Sequence, residues 1–184
     1  MRKLGAAMAL LLASPAFGAG LEIDIAGEAN GTIVIDLFDD VAPEHTARML
    51  QLAEDGAYDG VVFHRVIDGF MAQTGDVEYG RIGQDMRFAG RGGSQYPDLL
   101  AEFSDISFER GVVGMARAAT NPDSANSQFF IMFAPVPQLN GDYTVVGEVT
   151  SGMEIVDQIK RGLGPDGAVI GEPDQMAAVR AIRD

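Results

Sequence analysis

The sequence predicts a mostly antiparallel β protein whose sheet closes on itself, so that no strand edge is left exposed. Many short apolar runs alternate with polar residues at the period of two that half-buried strands show. Asn-Gly and Asp-Gly pairs, which favour hairpin turns, separate several of these runs. Only two segments have the spacing of an amphipathic helix, and a chain of 184 residues without an internal repeat suits one domain.

The first 18 residues have the organisation of a secretory signal peptide. The basic start Met1-Arg2-Lys3 precedes an apolar run over residues 4–13, and small residues follow up to Gly18. We expect cleavage after Gly18, or alternatively two residues earlier or one later, and a folded domain over residues 19–184. The apolar run is shorter than the ~20 residues that span a bilayer, which disfavours a membrane anchor; a buried helix is the other alternative. The protein is therefore predicted to be periplasmic or secreted, and free of the membrane after cleavage.

The composition excludes several classes of function. The net charge of −14 would fall to −16 on loss of Arg2 and Lys3, and so acidic a surface repels phosphate groups. We therefore expect no binding to nucleic acid or anionic lipid, and the charge favours a monomer. The absence of cysteine excludes disulfides and thiolate metal sites. The two histidines, His45 and His64, lack metal-ligand spacing, so neither a metal nor another cofactor is expected.

The chain after the predicted cleavage site begins with two strands and a helix. Residues 21–25 and 32–38 alternate in polarity and flank an Asn-Gly pair, which predicts antiparallel pairing. Pro43 suits a first helical position and Gly56 suits a stop. His45, near the start of this helix, is expected to be exposed and inert. The apolar stripe of the helix comprises Ala47, Met49, Leu50, Leu52 and Ala53.

A second hairpin is predicted at Asp68-Gly69, a pair that separates two runs rich in β-forming residues. A two-residue loop would pair Arg65 with Ala72. A three-residue loop would instead pair Arg65 with Gln73 and place both side chains on one face, with His64 on the other. An arginine among apolar residues is seldom fully buried without a partner. Taken alone, Arg65 would be expected to lie along the sheet and extend to water.

The rest of the chain contains a long loop, several strands and a second helix. Residues 78–97 are rich in glycine and arginine, but no Gly-Lys-Ser/Thr follows, which disfavours a phosphate-binding loop. Ser151 and Glu154 form a predicted capping box, and Gly162 is the predicted end of that helix. Further strands are predicted at residues 111–118, 128–133, 143–149 and 176–182.

Three ordered motifs link these elements. The first contains Phe63-His64-Arg65, Gly69-Phe70-Met71, Gln73 and Gly75-Asp76. The second contains Gly114-Met115-Ala116-Arg117 and Ser127-Gln128-Phe129-Phe130-Ile131, and the third contains Leu139-Asn140-Gly141 and Val145-Val146-Gly147. In order and approximate spacing they resemble the signature of the cyclophilin peptidyl-prolyl cis-trans isomerases, over roughly residues 21–161. The resemblance implies a closed eight-stranded antiparallel β-barrel capped by two α-helices, and an enzyme that isomerises X-Pro bonds and assists the folding of exported proteins.

The resemblance also implies site residues. Arg65 would donate a hydrogen bond to the prolyl nitrogen, whose lone pair is localised only while the amide is twisted, and Gln73 would hold Arg65 and the peptide carbonyl. The walls of a proline pocket would be Phe70, Met71, Phe130 and Leu139. The groove for the rest of a proline-containing or unfolded client polypeptide would be formed by Ala116, Arg117, Ala118, Gln128, Gln138 and Tyr143. Without the motifs, Phe130, Met71 and Leu139 would be expected to be ordinary core residues.

The sequence departs from the family pattern at three single positions and in the loop with Asn121-Pro122-Asp123, which is slightly longer than the commonest form. Gln138 stands where many members carry Trp, Tyr143 stands where many carry His, and Arg117 replaces the more usual Asn. The missing tryptophan removes an indole N–H donor and a large apolar face. We therefore expect the family's inhibitor cyclosporin to bind weakly.

Two other classes of function remain as alternatives to an isomerase. A proline-peptide receptor or holdase chaperone would use the same groove without turnover, so that only the need for Arg65 separates it from an enzyme. A hydrolase has little support, because the sequence has no Gly-x-Ser-x-Gly motif.

Overall fold

A computed structural model describes residues 18–183, and within them the chain forms nine β-strands and two α-helices. The strands are β1 (Gly20–Ala26), β2 (Gly31–Leu37), β3 (Val61–Val62), β4 (Arg65–Ile67), β5 (Met71–Thr74), β6 (Val112–Met115), β7 (Phe129–Met132), β8 (Val145–Ser151) and β9 (Gln175–Ile182). The helices are α1 (Pro43–Glu54) and α2 (Met153–Val156). Residues 1–17 of the predicted signal peptide lie outside the described residues. None of the helices within residues 18–183 is long and apolar enough to cross a bilayer.

The strands form one antiparallel sheet, in the order β3-β9-β1-β2-β8-β6-β7-β5-β4. The predicted fold class is confirmed, but the expected strand number of eight is wrong by one. The difference arises because residues 61–67 are divided: β3 pairs with β9, whereas β4 pairs with β5. Between them, Phe63 N donates to Asp174 O and His64 O accepts from Val169 N, so both residues leave the ladder. The two ends of the sheet are thus consecutive pieces of one segment.

Alternation along the strands creates two hydrophobic clusters. In β7, Phe129 and Ile131 belong to the main core, whereas Phe130 and Met132 face a second, smaller cluster. Successive strand residues point to opposite faces, which is why neighbours in sequence join different clusters. The second cluster comprises Met71, Phe108, Val112, Phe130, Met132 and Val145 as its buried members.

Helix α1 packs on β1 and β9 and begins at Pro43, as predicted. The expectation for His45 is wrong, because its side chain is fully buried and its Nδ1 lies 2.6 Å from Glu102 Oε2. Glu102 also accepts the backbone N–H groups of Glu44 and His45, which have no partner inside the helix. Four of the five residues of the predicted apolar stripe are buried, and only Ala47 is exposed.

Helix α2 packs on β2 and is much shorter than predicted. Ser151 is still part of β8, where it pairs with Val34, and Gly152 is the residue that precedes the helix. The predicted capping box is therefore wrong, since no side chain caps this helix. The α-helical geometry ends at Val156 rather than near Gly162.

Candidate functional site

The hairpin formed by β4 and β5 has the three-residue loop. Arg65 pairs with Gln73, and Ile67 pairs with Met71. Phe70 closes the loop by donating its backbone N–H to Ile67 O at 3.0 Å. This register places Arg65, Met71 and Gln73 on the same face of the sheet.

Arg65 is anchored on two sides rather than extended freely into water. Its Nη1 donates to Gln73 Oε1 at 3.1 Å and lies 3.8 Å from Met71 Sδ. Its Nε donates to the backbone oxygen of Asp166 at 2.8 Å. Within residues 18–183, Nη2 has no hydrogen-bond partner, which leaves that end of the guanidinium available to a ligand. Asp166 lies 101 residues from Arg65, and no sequence signal connects the two.

Beside Arg65 lies a cavity of about 130 Å³, which we call the apolar pocket. Typical small-molecule sites have volumes of roughly 300–1,000 Å³, so this one suits a single ring rather than a whole ligand. Nine of the twelve residues that the sequence nominated line it. They are Arg65, Phe70, Met71, Gln73, Ala116, Arg117, Phe130, Leu139 and Tyr143.

The buried wall of the apolar pocket is aromatic. Phe130 stacks on Phe108 at 5.7 Å between ring centroids and meets Tyr143 edge-on at the same distance. Gly114 makes this packing possible, because a Cβ there would lie 2.6 Å from the rings of both Phe108 and Phe130. Sequence analysis missed Phe108, since a buried phenylalanine outside the motifs carries no sign of a functional role.

Arg117 connects two segments of the chain at the rim of the apolar pocket. Its guanidinium carbon lies 4.4 Å from the centroid of the Tyr143 ring. Its Nε and Nη2 donate to Asp142 O, and its Nη1 donates to the backbone oxygens of Ala118 and Ala119. The side chain therefore ties the segment after β6 to the segment that carries Tyr143.

A second cavity of about 450 Å³ adjoins the apolar pocket, with Gln73, Ala116 and Arg117 lining both. Ala118 and Gln128, which the sequence also nominated, line only this adjoining cavity. Because they share three lining residues, the two spaces form one groove. Gln138 lines neither space: it is exposed on a short 3-10 helix, Pro137–Leu139.

His64, the residue before Arg65, does not contribute to the site. Burial lowers the pKa of His64 to about 4, although the nearby Asp76 carboxylate partly opposes this shift. His64 lines neither cavity. In the part of the chain that the structure describes, no three His, Asp or Glu side chains are grouped as metal ligands would be.

Comparison with known proteins adds independent findings. Residues 21–181 match the family model described as "Cyclophilin type peptidyl-prolyl cis-trans isomerase/CLD". The chain is 55% identical over 149 residues to a "Probable peptidyl-prolyl cis-trans isomerase" of Brucella suis biovar 1 (strain 1330), covering 80% of this chain and 76% of that protein. It is 38% identical over 136 residues to "Peptidyl-prolyl cis-trans isomerase B" of Bacillus subtilis (strain 168), covering 73% and 87%.

The fold is also similar to that of a solved structure. A cyclophilin-type isomerase of Cryptosporidium parvum, crystallised in the presence of the dipeptide Ala-Pro, superposes with a TM-score of 0.74 at 24% identity. The match covers 90% of this chain and 99% of that one.

Proposed function

Because the chain belongs to the cyclophilin-type peptidyl-prolyl cis-trans isomerase family, we propose that it accelerates X-Pro rotation in exported polypeptides, with Arg65 stabilising the twisted amide. The observation that carries this proposal is the anchored guanidinium beside the apolar pocket. Nε and Nη1 are held by Asp166 and Gln73, while Nη2 is left for a ligand. The proline ring would occupy the apolar pocket, and the flanking peptide would lie along the adjoining cavity.

The chemistry requires no bond to be broken. Rotation about the X-Pro bond is opposed by a barrier of ~18–20 kcal/mol, which reflects the loss of amide resonance. Twisting localises a lone pair on the prolyl nitrogen, so a donor aimed there binds the twisted amide better than either planar form. An arginine suits this role because it is always charged and has several N–H donors.

Arg65 alone does not provide enough stabilisation. A hydrogen bond to a charged group contributes about 1.5–3 kcal/mol, whereas a 10⁴-fold acceleration needs ~5.5 kcal/mol. We assign the remainder to the apolar pocket, which would hold the proline ring while the preceding carbonyl rotates. Partial burial of Arg65 and Gln73 shields their hydrogen bonds from water and strengthens them.

We propose that the protein acts after export, in the periplasm or outside the cell. This proposal rests on the basic, apolar and small-residue order of residues 1–18. Expressed in its native host, the protein should be recovered from the extracytoplasmic fraction with a mass that corresponds to cleavage after Gly18. Recovery of uncleaved protein from the cytoplasm would refute the export proposal but leave the isomerase mechanism standing.

A proline-peptide receptor or holdase uses the same groove, and the Arg65→Ala variant separates the two functions. An isomerase function predicts that this variant binds unfolded clients but fails to replace the wild-type gene in a deletion strain. Full replacement by the variant, with isomerisation lost, would show that binding is the biological task.

We further propose that the protein is a monomer and binds cyclosporin weakly. The net charge, −14 for the full sequence and −16 without Arg2 and Lys3, opposes self-association, and sedimentation equilibrium at physiological salt should give a single mass of one chain. Weak cyclosporin binding follows from the position of Gln138, an exposed polar side chain that offers neither an indole N–H nor a large apolar face.

A further inference from the structure

Arg65 is the end of a chain of hydrogen bonds that crosses the floor of the groove. Its Nη1 donates to Gln73 Oε1, and Gln73 Nε2 donates to Gln128 Oε1 at 2.9 Å. Gln128 Nε2 in turn donates to the backbone oxygen of Gly92 at 2.8 Å. We call this series the amide relay. It connects the guanidinium to a loop that does not line the apolar pocket.

The amide relay can run in only one direction. Arginine has donors only, and a backbone carbonyl is an acceptor only. With Gly92 O at one end and Arg65 at the other, each glutamine amide has a single orientation that satisfies both of its neighbours. If Gln73 turned its NH₂ group towards Arg65, two donors would face each other. The relay thus presents an acceptor to Arg65 and holds Nη1 in place.

Asp76 fixes the far end of the amide relay. Its buried carboxylate accepts four backbone N–H groups, including those of Gly90 and Gly92 at 2.7 and 3.0 Å. Gly92 approaches so closely that a Cβ there would lie 2.5 Å from Asp76 Oδ1. Asp76 also follows β5, which carries Gln73, by only two residues. A single carboxylate therefore fixes the position of the loop relative to the strand.

We propose that Gln128 and Asp76 are positioning residues, which orient the Arg65 guanidinium through the amide relay and Gly92. This inference rests on the proposed role of Arg65. It predicts that damage to the relay lowers kcat, because Arg65 is misdirected in the twisted state. Peptide affinity should change less than kcat, since the apolar pocket, which would hold the proline ring, is intact.

The Gln128→Glu variant tests the direction of the amide relay. At pH 8 the introduced carboxylate still accepts from Gln73 but cannot donate to Gly92 O, so kcat should fall about tenfold. At low pH the protonated acid donates to Gly92 O and restores the relay. The facing carbonyl should raise the pKa of this group above the ordinary value of about 4.3, so the activity should recover progressively as the pH is lowered towards 5.

The measurement is kcat for an Ala-Pro peptide, by NMR exchange, from pH 5 to 8. Each value is divided by that of the wild type, which cancels titrations that the two proteins share. Gln128→Met, an apolar side chain of similar length, should remain about tenfold low at every pH. The inference would be overturned if the kcat of Gln128→Glu relative to the wild type did not change with pH, or if only KM changed. Gln128 would then be a peptide-binding residue.

A double-mutant cycle tests Asp76. Asp76→Asn removes the negative charge of the carboxylate and part of its capacity to accept the backbone N–H groups of the loop. This variant should also lower kcat about tenfold. If Asp76 acts through Gln128, adding Asp76→Asn to Gln128→Met should cost little further activity. If the double variant folds and its loss of kcat equals the product of the two single losses, the proposed role of Asp76 would be overturned. If Asp76→Asn does not fold, the Gln128 variants still decide whether the relay exists. Full activity of Arg65→Ala would instead refute the proposed function itself.

Discussion

Replacing Phe130 by leucine should weaken the wall of the apolar pocket while leaving the sheet folded. Phe130 makes two aromatic contacts, with Phe108 and Tyr143, each contributing ~0.5–1.5 kcal/mol beyond area burial. The variant should therefore lose about 1–3 kcal/mol of stability, which lowers Tm by roughly 2–4 °C per kcal/mol in a chain of this size.

The loss of activity can be estimated separately from the loss of stability. A bound proline ring packs its methylene groups against the phenyl ring, and each buried methylene contributes ~0.8 kcal/mol. Loss of contact with one or two of them should lower kcat/KM by roughly 4- to 15-fold. The assay is isomerisation of an Ala-Pro peptide at 10 °C, with the folded fraction of each protein checked by circular dichroism.

Phe129 provides a matched control. It is the neighbouring residue of β7, is fully buried, and packs on the opposite face, edge-on to Tyr58 at 5.7 Å. Phe129→Leu should lose about 0.5–1.5 kcal/mol of stability for that aromatic pair but retain nearly full activity. If both variants lost activity in proportion to their loss of stability, the assignment of the apolar pocket would be refuted.

Three further predictions concern the rim, the inhibitor and pH. Arg117→Leu removes the stacking on Tyr143, worth ~0.5–1 kcal/mol at an exposed site, and should raise the KM of a peptide about two- to fivefold in steady-state assays. Gln138→Trp should tighten cyclosporin binding by about tenfold, measured through the fluorescence of the only tryptophan in the chain; unchanged affinity would contradict the expectation. Burial lowers the pKa of His64 to about 4, so an unfolded chain takes up a proton there below pH 6.5 and the folded one does not. Stability should therefore fall by roughly 2 kcal/mol from pH 7 to 5, in urea titrations, and His64→Gln should remove most of that fall.

Local sequence patterns predicted the parts of the site that depend on neighbouring residues. With the three-residue loop, one of two that the sequence allowed, alternation in β4 and β5 placed Arg65, Met71 and Gln73 on one face. These positions follow from the period of a strand and the geometry of a short turn, which a few residues determine. Phe130 was assigned to the site only by the resemblance to the family.

Contacts between distant segments were beyond the reach of the same patterns. His45 is buried because Glu102, 57 residues later, accepts its ring and backbone N–H groups. The break at residues 63–64 arises from Asp174 and Val169, and the anchor on Arg65 Nε comes from Asp166. No short-range periodicity or turn signal encodes such pairs, so they emerge only once the chain is folded.

The most direct test of the central claim is NMR exchange of an Ala-Pro peptide with the wild type and the Arg65→Ala and Arg65→Lys variants. The wild type should accelerate exchange strongly. Arg65→Ala should lower the rate at saturating peptide by roughly 10- to 150-fold, the equivalent of one charge-assisted hydrogen bond. Arg65→Lys should recover only part of this loss, because an ammonium group lacks the planar fork that Gln73 and Asp166 hold. Unchanged exchange in Arg65→Ala, with peptide bound, would contradict the assignment of Arg65 as the residue that stabilises the twisted amide.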